Sequence, residues 1–378
     1  MGSRASTPFT IDQLLEGAVF AESEANELKS RLKTDDFEWY RYSILGSVEQ
    51  ICQLLQGDFQ DLSNIVTGPQ VADIGGADGD LSFFLERYGL DVDLIDNSET
   101  NINGMKAARL IKKTINSKVN IYEIDLNQPF ELPRSRYDLI FMLGTLYHMQ
   151  NPFYVLDKLS WHTYFCFLST RVTRCASDPK LVIKNEPVAY LVDVDELNQD
   201  CTNYWIFTET GLRRILSRTG WVICGLRTYG DTERSDPISV EHDERAFCLL
   251  KSKRISPSVL GPGWEPAAGN LGHWMGPVSE TQLISGSQGR LSLRGYVPEL
   301  VFNRCYNGEA TLQVKVTNGR ETVHKIGGSG TFTVEVPVSA CKKLTVHLKM
   351  NKSFIPDELD SSGDTRTLSA IFTEIEAY

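Results

Sequence analysis

One stretch constrains the fold of this chain more than any other: residues 71–79 read Val-Ala-Asp-Ile-Gly-Gly-Ala-Asp-Gly. Its first four residues predict a short buried strand, and the glycines predict a turn whose backbone adopts positive φ and approaches a ligand closely. Leu81, Phe84, Leu85 and Tyr88 then recur at helical spacing, which predicts a helix directly after the turn. A strand, a glycine turn and a helix in this order indicate an α/β fold with a ligand site at the carboxyl end of the strand.

Three further strands are predicted downstream, and polar or small residues follow each of them. Residues 92–95, 119–124 and 137–142 are apolar runs spaced as strands that alternate with helices. Asp96, at the second strand end, suits a ribose diol because an acidic side chain accepts both of its hydrogen bonds. The residues expected to line a nucleotide-containing cofactor at these ends are Asp73, Gly75, Gly76, Gly79, Asp96, Asn97, Asp125, Leu126, Leu143 and Gly144.

The spacing of the glycine turn discriminates between cofactors. Asp73-x-Gly75-x-x-x-Gly79 differs from the dinucleotide fingerprint Gly-x-Gly-x-x-Gly, which disfavours an NAD site, and an ordinary strand–helix connection is the alternative for the turn taken alone. With acids or glycine at the next three strand ends, the pattern resembles the S-adenosylmethionine site of class I methyltransferases. The resemblance implies that the first acid and the glycines hold the methionine end, the second acid holds the ribose, and the third contacts the adenine amine.

The elements around this site predict the architecture of the first two thirds of the chain. Residues 1–58 are predicted to form an N-terminal helical cap, in which Thr10 is a helix N-cap. Residues 59–254 are predicted to form the S-adenosylmethionine-dependent methyltransferase domain, a Rossmann-like α/β fold with a seven-stranded sheet. Residues 221–226 and 246–250 are expected to finish that sheet as an antiparallel pair.

An aromatic cluster lies between the cap and the predicted sheet. Residues 39–42 read Trp-Tyr-Arg-Tyr, and they precede an apolar helical run. One interpretation is a lid that closes over the cofactor and places Tyr40 near the substrate. The alternative is an aromatic staple that packs the cap onto the sheet.

The end of the chain follows a different pattern. Residues 255–263 are predicted to be a linker, and residues 264–378 show short alternating stretches at the spacing of a separate all-β sandwich, without a helix of note. The motifs around Trp264, Trp274 and Tyr296 are similar to a β-sandwich module appended to bacterial glycosyltransferases. These three aromatic side chains either stack on sugar rings or belong to the core and corners of the sandwich.

Charge, apolar runs and cysteine spacing exclude several classes of protein. The net charge is −11, and residues 255–378 carry 11 basic against 12 acidic side chains, so nearly all of this charge lies before them. Because nucleic-acid affinity usually comes from a basic footprint, the charge argues against a nucleic-acid partner. No apolar run approaches the roughly 20 residues of a membrane span. Scattered cysteines without a C-x-x-C pair, and the lack of a signal-peptide pattern, predict buried free thiols in a cytoplasmic protein.

A narrower likeness covers roughly residues 37–225. Residues 143–148, which read Leu-Gly-Thr-Leu-Tyr-His, and residues 202–205 with Thr208 are similar to a methyltransferase branch that includes the wobble-uridine tRNA carboxymethyltransferase. That resemblance implies a basic site for the extra carboxylate of the cofactor, together with a tRNA-binding surface. Neither is identifiable from the sequence.

These observations favour an enzyme that methylates a sugar or glycan hydroxyl of a cell-surface polysaccharide. His148 is the candidate proton acceptor, with an orienting role in its loop as the alternative. Asp193 and Asp195 lack a partner histidine, so no metal site is expected. The alternatives are a tRNA-modifying methyltransferase and a catalytically inactive glycan-binding scaffold, and the sandwich is expected to dock to polysaccharide-assembly enzymes. The residues expected to bind the substrate are Tyr40, Tyr147, Tyr190, Asn203 and Trp205.

Overall fold

The chain divides into two compact units, Met1–Ile255 and Ser256–Tyr378. A computed structural model describes residues 10–32, 34–55, 62, 65–66, 69–134, 136–254, 259–266, 272–285, 289–317, 319–339 and 343–377. Among these residues no helix is long and apolar enough to cross a membrane. The first nine residues and the first four residues of the predicted linker, 255–258, lie outside the described residues.

Unit 1 begins with two helices, as the sequence predicts. Helix α1 spans Ile11–Arg31, and Thr10 closes a capping box with Gln13 at its start. A 3₁₀ turn, Ile44–Ser47, leads into α2, Val48–Leu55, whose apolar residues are buried. The predicted aromatic cluster lies in the irregular segment between α1 and this turn.

A parallel sheet forms the centre of unit 1. Its five principal strands and their order β3-β2-β1-β4-β5 agree with a doubly wound α/β topology, so the carboxyl ends of the strands lie at one edge of the sheet. Four helices connect or flank these strands. The strands are β1 (Gln70–Ile74), β2 (Asp91–Asp96), β3 (Asn120–Glu123), β4 (Tyr137–Leu143) and β5 (Thr163–Val172); the helices are α3 (Asp80–Glu86), α4 (Lys106–Ile115), α5 (Pro152–Ser160) and α6 (Glu209–Arg218).

The sheet contains nine strands, so the prediction of seven is wrong by two. The predicted antiparallel pair is present: β8 (Trp221–Gly230) pairs with β9 (Glu244–Ser252), which pairs with β5. The additional strands are β6 (Ala189–Leu191) and β7 (Trp205–Phe207), which form a short hairpin beside the end of β5. They come from the insertion after β5, where three-residue strands give too short an alternation to be recognised in sequence.

Unit 2 contains two five-stranded sheets around one hydrophobic core. Two short helices, α7 (Glu299–Arg304) and α8 (Pro356–Asp360), interrupt the strands, although the sequence predicts no helix there. One sheet has the order β10-β13-β18-β15-β16 and the other β11-β12-β19-β14-β17. The strands are β10 (Val259–Leu260), β11 (Trp264–Pro266), β12 (His273–Met275), β13 (Val278–Ile284), β14 (Arg290–Val297), β15 (Ala310–Val316), β16 (Glu321–Ile326), β17 (Gly330–Pro337), β18 (Lys343–Met350) and β19 (Ile371–Ala377).

The predicted linker is too long, because Val259 and Leu260 pair with β13 as an edge strand. Trp264 and Trp274 pack edge-on against Phe372 and Phe354, so both indoles contribute to the core of unit 2. The Trp264 indole N–H also donates to a backbone carbonyl, that of Glu280. These contacts support the core interpretation of the two tryptophans rather than sugar stacking.

The cysteines of the described residues are free thiols, as expected from their spacing. Four of them are buried, one is exposed, and two are intermediate; Cys341 lies outside the described residues. The core of unit 1 has the buried side chains of β4 and β5 at its centre, packed against α5 and α6. This core fixes the strand ends that carry the candidate site.

Candidate functional site

The glycine turn after β1 is held tightly against the neighbouring strands. The Gly75 amide donates to the Ile95 carbonyl at 2.8 Å, and Gly75 and Gly79 have φ of 73° and 90°. A Cβ added to Gly76 would lie 2.7 Å from Leu94 Cγ, so only glycine fits without a shift. Ala77 also adopts a positive φ, 50°, which costs about 1 kcal/mol and identifies the turn as locally strained.

Asp73 is a buried acid without a basic partner among the described residues. Its side chain is 3% exposed, and its Oδ2 accepts a hydrogen bond of 2.7 Å from the Ser82 hydroxyl. The pKa of Asp73 is raised to about 7, mainly by burial and also by the nearby carboxylates Asp96 and Asp80, whereas the Ser82 hydrogen bond opposes the shift. A carboxyl group in this state favours a positively charged ligand.

Asp96 ends β2 and organises the loops on either side of it. Its Oδ2 accepts from the Ala77 amide and from Asn101 Nδ2, both at 2.9 Å, and its Oδ1 accepts from the Asn97 amide at 2.8 Å. Burial raises the pKa of Asp96, whereas these hydrogen bonds lower it. Three of about four acceptor positions are therefore used, so a ribose diol must share or displace one of these donors.

The remaining cofactor candidates lie at the same edge of the sheet. Parallel registers place Asp96 level with Glu123 of β3, and Ile74 level with Met142 of β4. Gly144 follows β4 with φ of 72°, and its amide donates to Ser169. The side chains of Leu126 and Leu143 are buried, so these two candidates would present backbone to a ligand. Asn97 and Asp125 shape their loops, because their side-chain oxygens accept hydrogen bonds from the Glu99 and Asn127 amides.

A buried polar network, which the sequence does not predict, ties the segment 35–43 to the glycine turn. Asp78 accepts from the Tyr40 amide at 3.0 Å and from Asn103 Nδ2 at 2.8 Å, and its Oδ2 lies 2.9 Å from Lys29 Nζ. Lys29 also pairs with Asp80 and lies over the ring of Trp39. These contacts connect α1, the aromatic cluster and the cofactor turn directly.

Tyr40 lies between the predicted cofactor edge and the insertion. Its hydroxyl accepts from the Ile102 amide at 3.2 Å. Burial raises its pKa to about 12, and the carboxylates of Asp96, Asp78 and Asp200 contribute in the same direction. Tyr40 is therefore within electrostatic range of both Asp96, at the end of β2, and Asp200, in the insertion.

His148 follows β4 in a 3₁₀ turn, Leu146–His148, and faces the insertion. Its Nδ1 lies 3.1 Å from the Thr202 carbonyl oxygen and 2.9 Å from the Thr202 hydroxyl. Burial lowers the pKa of His148, and Arg245 adds to that effect, while Asp200 opposes it. The imidazole is therefore neutral near pH 7, which is the form that accepts a proton.

Two arginines that the sequence does not suggest approach the end of β4. Arg171 and Arg245 face each other across the β5–β9 pair, and one carboxylate, Asp243, lies 3.0 and 3.1 Å from them. Arg245 bonds to Tyr147, and its Nη1 lies 3.6 Å from where a Cβ on Gly144 would be. Arg171 is 4% exposed, whereas the Arg245 side chain is 40% exposed, so Arg245 is the one accessible to a ligand.

The other predicted substrate residues stabilise the insertion. The Tyr190 hydroxyl donates to Glu196, Asn203 Nδ2 donates to the Leu197 carbonyl at 3.0 Å, and Trp205 Nε1 donates to the Gln150 carbonyl at 3.1 Å. Tyr147 and Tyr190 both pack against a small apolar cluster of the insertion. Of this predicted set, the structure brings Tyr40 and Tyr147 to the strand ends.

No group of three or more potential metal ligands occurs in the described part of the chain. The residues missed from sequence are those whose partners are distant along the chain. Asp78 gives a local signal, since it lies inside the glycine turn itself. Arg245 gives a weaker one, because it and Glu244 begin an otherwise apolar strand.

No protein-family model and no curated protein matches this chain. Among solved structures, EvdMO1 is similar over 87% of this chain and 96% of its own, with 8% identity and a TM-score of 0.41. The N-terminal domain of EvdMO1 with SAH bound covers 61% of this chain and 96% of its own, with 12% identity and a TM-score of 0.40. An S-adenosylmethionine-dependent methyltransferase from Mesorhizobium loti covers 50% and 92%, with 13% identity and a TM-score of 0.36. At such identities and TM-scores these likenesses assign no activity to this chain.

Proposed function

We propose that this chain is an S-adenosylmethionine-dependent methyltransferase that methylates a hydroxyl group of a sugar or glycan. The acceptor is a building block of a surface polysaccharide, and the reaction takes place in the cytoplasm. The proposal combines the sequence pattern of the strand ends with the geometry found around them.

The observation that carries the proposal is the environment of Asp73. S-adenosylmethionine bears two positive charges, on its sulfur and on its amino group. The site supplies a buried acid with a raised pKa and no basic partner among the described residues, beside a glycine turn too closely packed to carry side chains. Asp73 with Gly75 and Gly76 would hold the methionine end, and Asp96 would hold the ribose. The residues present therefore fit this cofactor.

His148 would receive the proton of the acceptor hydroxyl. Because its Nδ1 faces a carbonyl oxygen, which can only accept, Nδ1 carries the hydrogen and Nε2 keeps its lone pair. When bound, S-adenosylmethionine supplies a methyl group whose carbon–sulfur bond breaks as the acceptor oxygen attacks in line. Tyr40 and Tyr147 would exclude water around the acceptor.

The choice of a sugar acceptor rests on the tail and on the charge. Residues 264–378 resemble a module found on bacterial glycosyltransferases, and the net charge of −11 disfavours a polyanionic acceptor. We propose that unit 2 docks to polysaccharide-assembly enzymes or to the polymer. The polar insertion between β5 and β7 would supply the acceptor contacts.

The reaction is tested by mass spectrometry of small glycans and of tRNA incubated with enzyme and cofactor. The expected result is a mass increase of one methyl group on a glycan hydroxyl and none on tRNA. His148→Gln should lower the rate by roughly 10²–10⁴-fold, because a general base is lost, and leave cofactor affinity near wild type. His162→Gln is the matched control outside the site. If the His148 variant loses cofactor binding instead, His148 has a structural role rather than that of a proton acceptor.

A second candidate function is favoured by Arg245. The likeness to the wobble-uridine tRNA carboxymethyltransferase implies a basic site for a carboxylate on the cofactor, and Arg245 places a guanidinium beside Tyr147 at the end of β4. The competing proposal is a tRNA-modifying enzyme that uses a carboxylated cofactor. The negative overall charge argues against the basic surface that tRNA binding requires, so we place this candidate second.

Calorimetry with both cofactors separates the two candidates. If the sugar proposal holds, the ordinary cofactor binds at least as tightly as the carboxylated one, and Arg245→Gln does not change their ratio. If the carboxylated cofactor binds more tightly and Arg245→Gln removes that difference, the second candidate is favoured. Arg227→Gln, on the neighbouring strand β8, is the control for loss of a positive charge.

A further inference from the structure

We infer that Thr202 and Asp200 are positioning residues that hold His148 in the tautomer with a free Nε2 lone pair. The catalytic use of that lone pair rests on the proposed function, whereas the tautomer itself is a property of the protein alone. Neither Thr202 nor Asp200 belongs to the residues expected from sequence to bind the substrate.

The contacts form a chain from a carboxylate to the imidazole. Asp200 Oδ1 accepts from the Thr202 hydroxyl at 2.6 Å and from the Thr202 amide at 2.9 Å. The Thr202 hydroxyl oxygen in turn lies 2.9 Å from His148 Nδ1, and the Thr202 carbonyl oxygen lies 3.1 Å from the same atom. One residue thus presents two oxygens to a single ring nitrogen.

The direction of each hydrogen bond follows from the chemistry of the partners. An ionised carboxylate accepts only, so the hydroxyl hydrogen of Thr202 points to Asp200. The hydroxyl oxygen then faces His148 with a lone pair, as the carbonyl oxygen does. Nδ1 meets two acceptors and must carry the hydrogen, which leaves Nε2 unprotonated.

The loop that carries this chain of contacts is fixed to the turn that carries His148. The Tyr204 amide donates to the Tyr147 carbonyl at 2.8 Å, and the Asn203 amide donates to the Asp200 carbonyl at 3.1 Å. Asn203 also braces the loop through the Leu197 carbonyl. The insertion therefore holds Thr202 against the imidazole rather than leaving it to sample other positions.

Three neighbouring groups affect the charge of the imidazole. Asp200 and the Thr202 carbonyl favour the protonated ring, whereas Arg245 disfavours it. The Tyr147 ring lies against the imidazole, with ring centroids 4.2 Å apart. Burial disfavours the charged form most strongly. Asp200 thus partly offsets burial, and it keeps His148 basic enough to accept a proton.

The test is nitrogen-15 NMR of the histidine rings, which requires neither acceptor nor cofactor. The chain has six histidines, and His148→Gln identifies the His148 signals by their loss. The expected spectrum at neutral pH shows a protonated Nδ1 and an unprotonated Nε2. Thr202→Val removes one of the two acceptors that face Nδ1 and keeps the carbonyl, so both signals should shift part of the way toward each other, and Thr202→Ser should restore the wild-type pattern.

Asp200→Asn should lower the pKa of His148, because the carboxylate that favours its charged form is gone. Asp195→Asn, in the same insertion and exposed, is the matched control and should change neither the signals nor the pKa of His148. Thr202→Val and Asp200→Asn should each lower the turnover rate about 10²-fold, as expected for a misplaced catalytic group.

A wild-type ring protonated on Nε2, or variants with unchanged tautomer and pKa, would overturn the inference. If the tautomer is as expected but no methyl transfer is found with any acceptor, the proposed function fails and the positioning role stands.

Discussion

At the scale of single residues, the site is defined by acids that have no basic partner among the described residues. Asp73 is buried and Asp96 is half-buried at adjacent strand ends, and desolvation raises the pKa of both. Lys29, on the neighbouring helix α1, is already paired with Asp78 and Asp80. Two like charges held together in a protein interior are costly, and a bound cation removes that cost.

Cofactor affinity should therefore depend on pH through Asp73. The free protein keeps Asp73 protonated below its pKa of about 7, so binding of a positively charged amino group must expel a proton there. Affinity should rise by about tenfold per pH unit from pH 5.5 to 7 and then level off. Calorimetry across this range measures it. Asp73→Asn should flatten the profile, and a wild-type profile already flat would remove Asp73 from the methionine site.

The residues of the site differ in how far sequence could identify them. Asp73, Asp96 and Gly144 follow from position at strand ends, because parallel strands bring their carboxyl ends together. Arg245 and Asp78 do not, since their importance comes from contacts with Tyr147 and Lys29, which lie far away in the chain. Such pairings appear only once the register of the sheet and the path of α1 are known.

At the scale of elements, the segment 35–43 acts as a strap between α1 and the cofactor turn. Its Tyr40 amide is bonded to Asp78, and its Glu38 carbonyl accepts from Asn103. We expect a ligand in the turn to contact the loop that this strap holds. Ligand binding and the position of the strap should then be coupled through the Asp78 carboxylate.

Cofactor should slow hydrogen exchange in residues 35–48, because the ligand orders the turn to which the strap is tied. Lys29→Met leaves Asp78 and Asp80 without their cation, so the Tyr40 amide should exchange about tenfold faster in the free protein. Arg31→Met, which removes only an exposed pair with Glu27, is the control. If hydrogen exchange is the same in wild type and both variants, with and without cofactor, the segment 35–43 only packs against its neighbours and does not act as a lid.

The elements themselves were largely predictable. Strands β1, β2 and β4 are largely buried apolar runs, and each lies within a few residues of its predicted position. Strand β16 gives little sequence signal, because Glu-Thr-Val-His-Lys-Ile exposes every second side chain up to Lys325 and has little apolar alternation. The hairpin of β6 and β7 was missed because pairing with the end of β5, not its own sequence, makes it a strand.

At the scale of the whole molecule, the two units differ in charge and in architecture. Unit 1 carries nearly all of the net charge of −11 and the entire candidate site, whereas unit 2 is nearly neutral and built from antiparallel sheets around a core of its own. Two separate cores allow each unit to fold independently. This arrangement suits a catalytic unit joined to a docking unit.

Residues 1–255 alone should therefore fold, bind cofactor with unchanged affinity, and lose mainly activity on a polymeric acceptor. The physical reason is tethering, since a second weak site raises the local concentration of acceptor without changing the chemistry. Thermal unfolding with and without cofactor, and rates on short and long glycans, measure both effects. If the truncated protein is insoluble or is not stabilised by cofactor, unit 2 is needed for the stability of unit 1, which contradicts the docking role.

The central claim is that the carboxyl edge of the sheet binds S-adenosylmethionine, and calorimetric titration of the cofactor into wild type and Asp96→Ala tests it most directly. We predict micromolar binding to wild type and a loss of about 1–3 kcal/mol in the variant, because charge-assisted hydrogen bonds to the ribose are removed. Asp91→Ala, at the opposite end of β2, should bind like wild type. Asp96→Asn, with thermal unfolding as a check on the fold, covers the case in which the alanine variant is unstable. No binding to wild type, or equal affinity in folded Asp96 variants, would contradict the account.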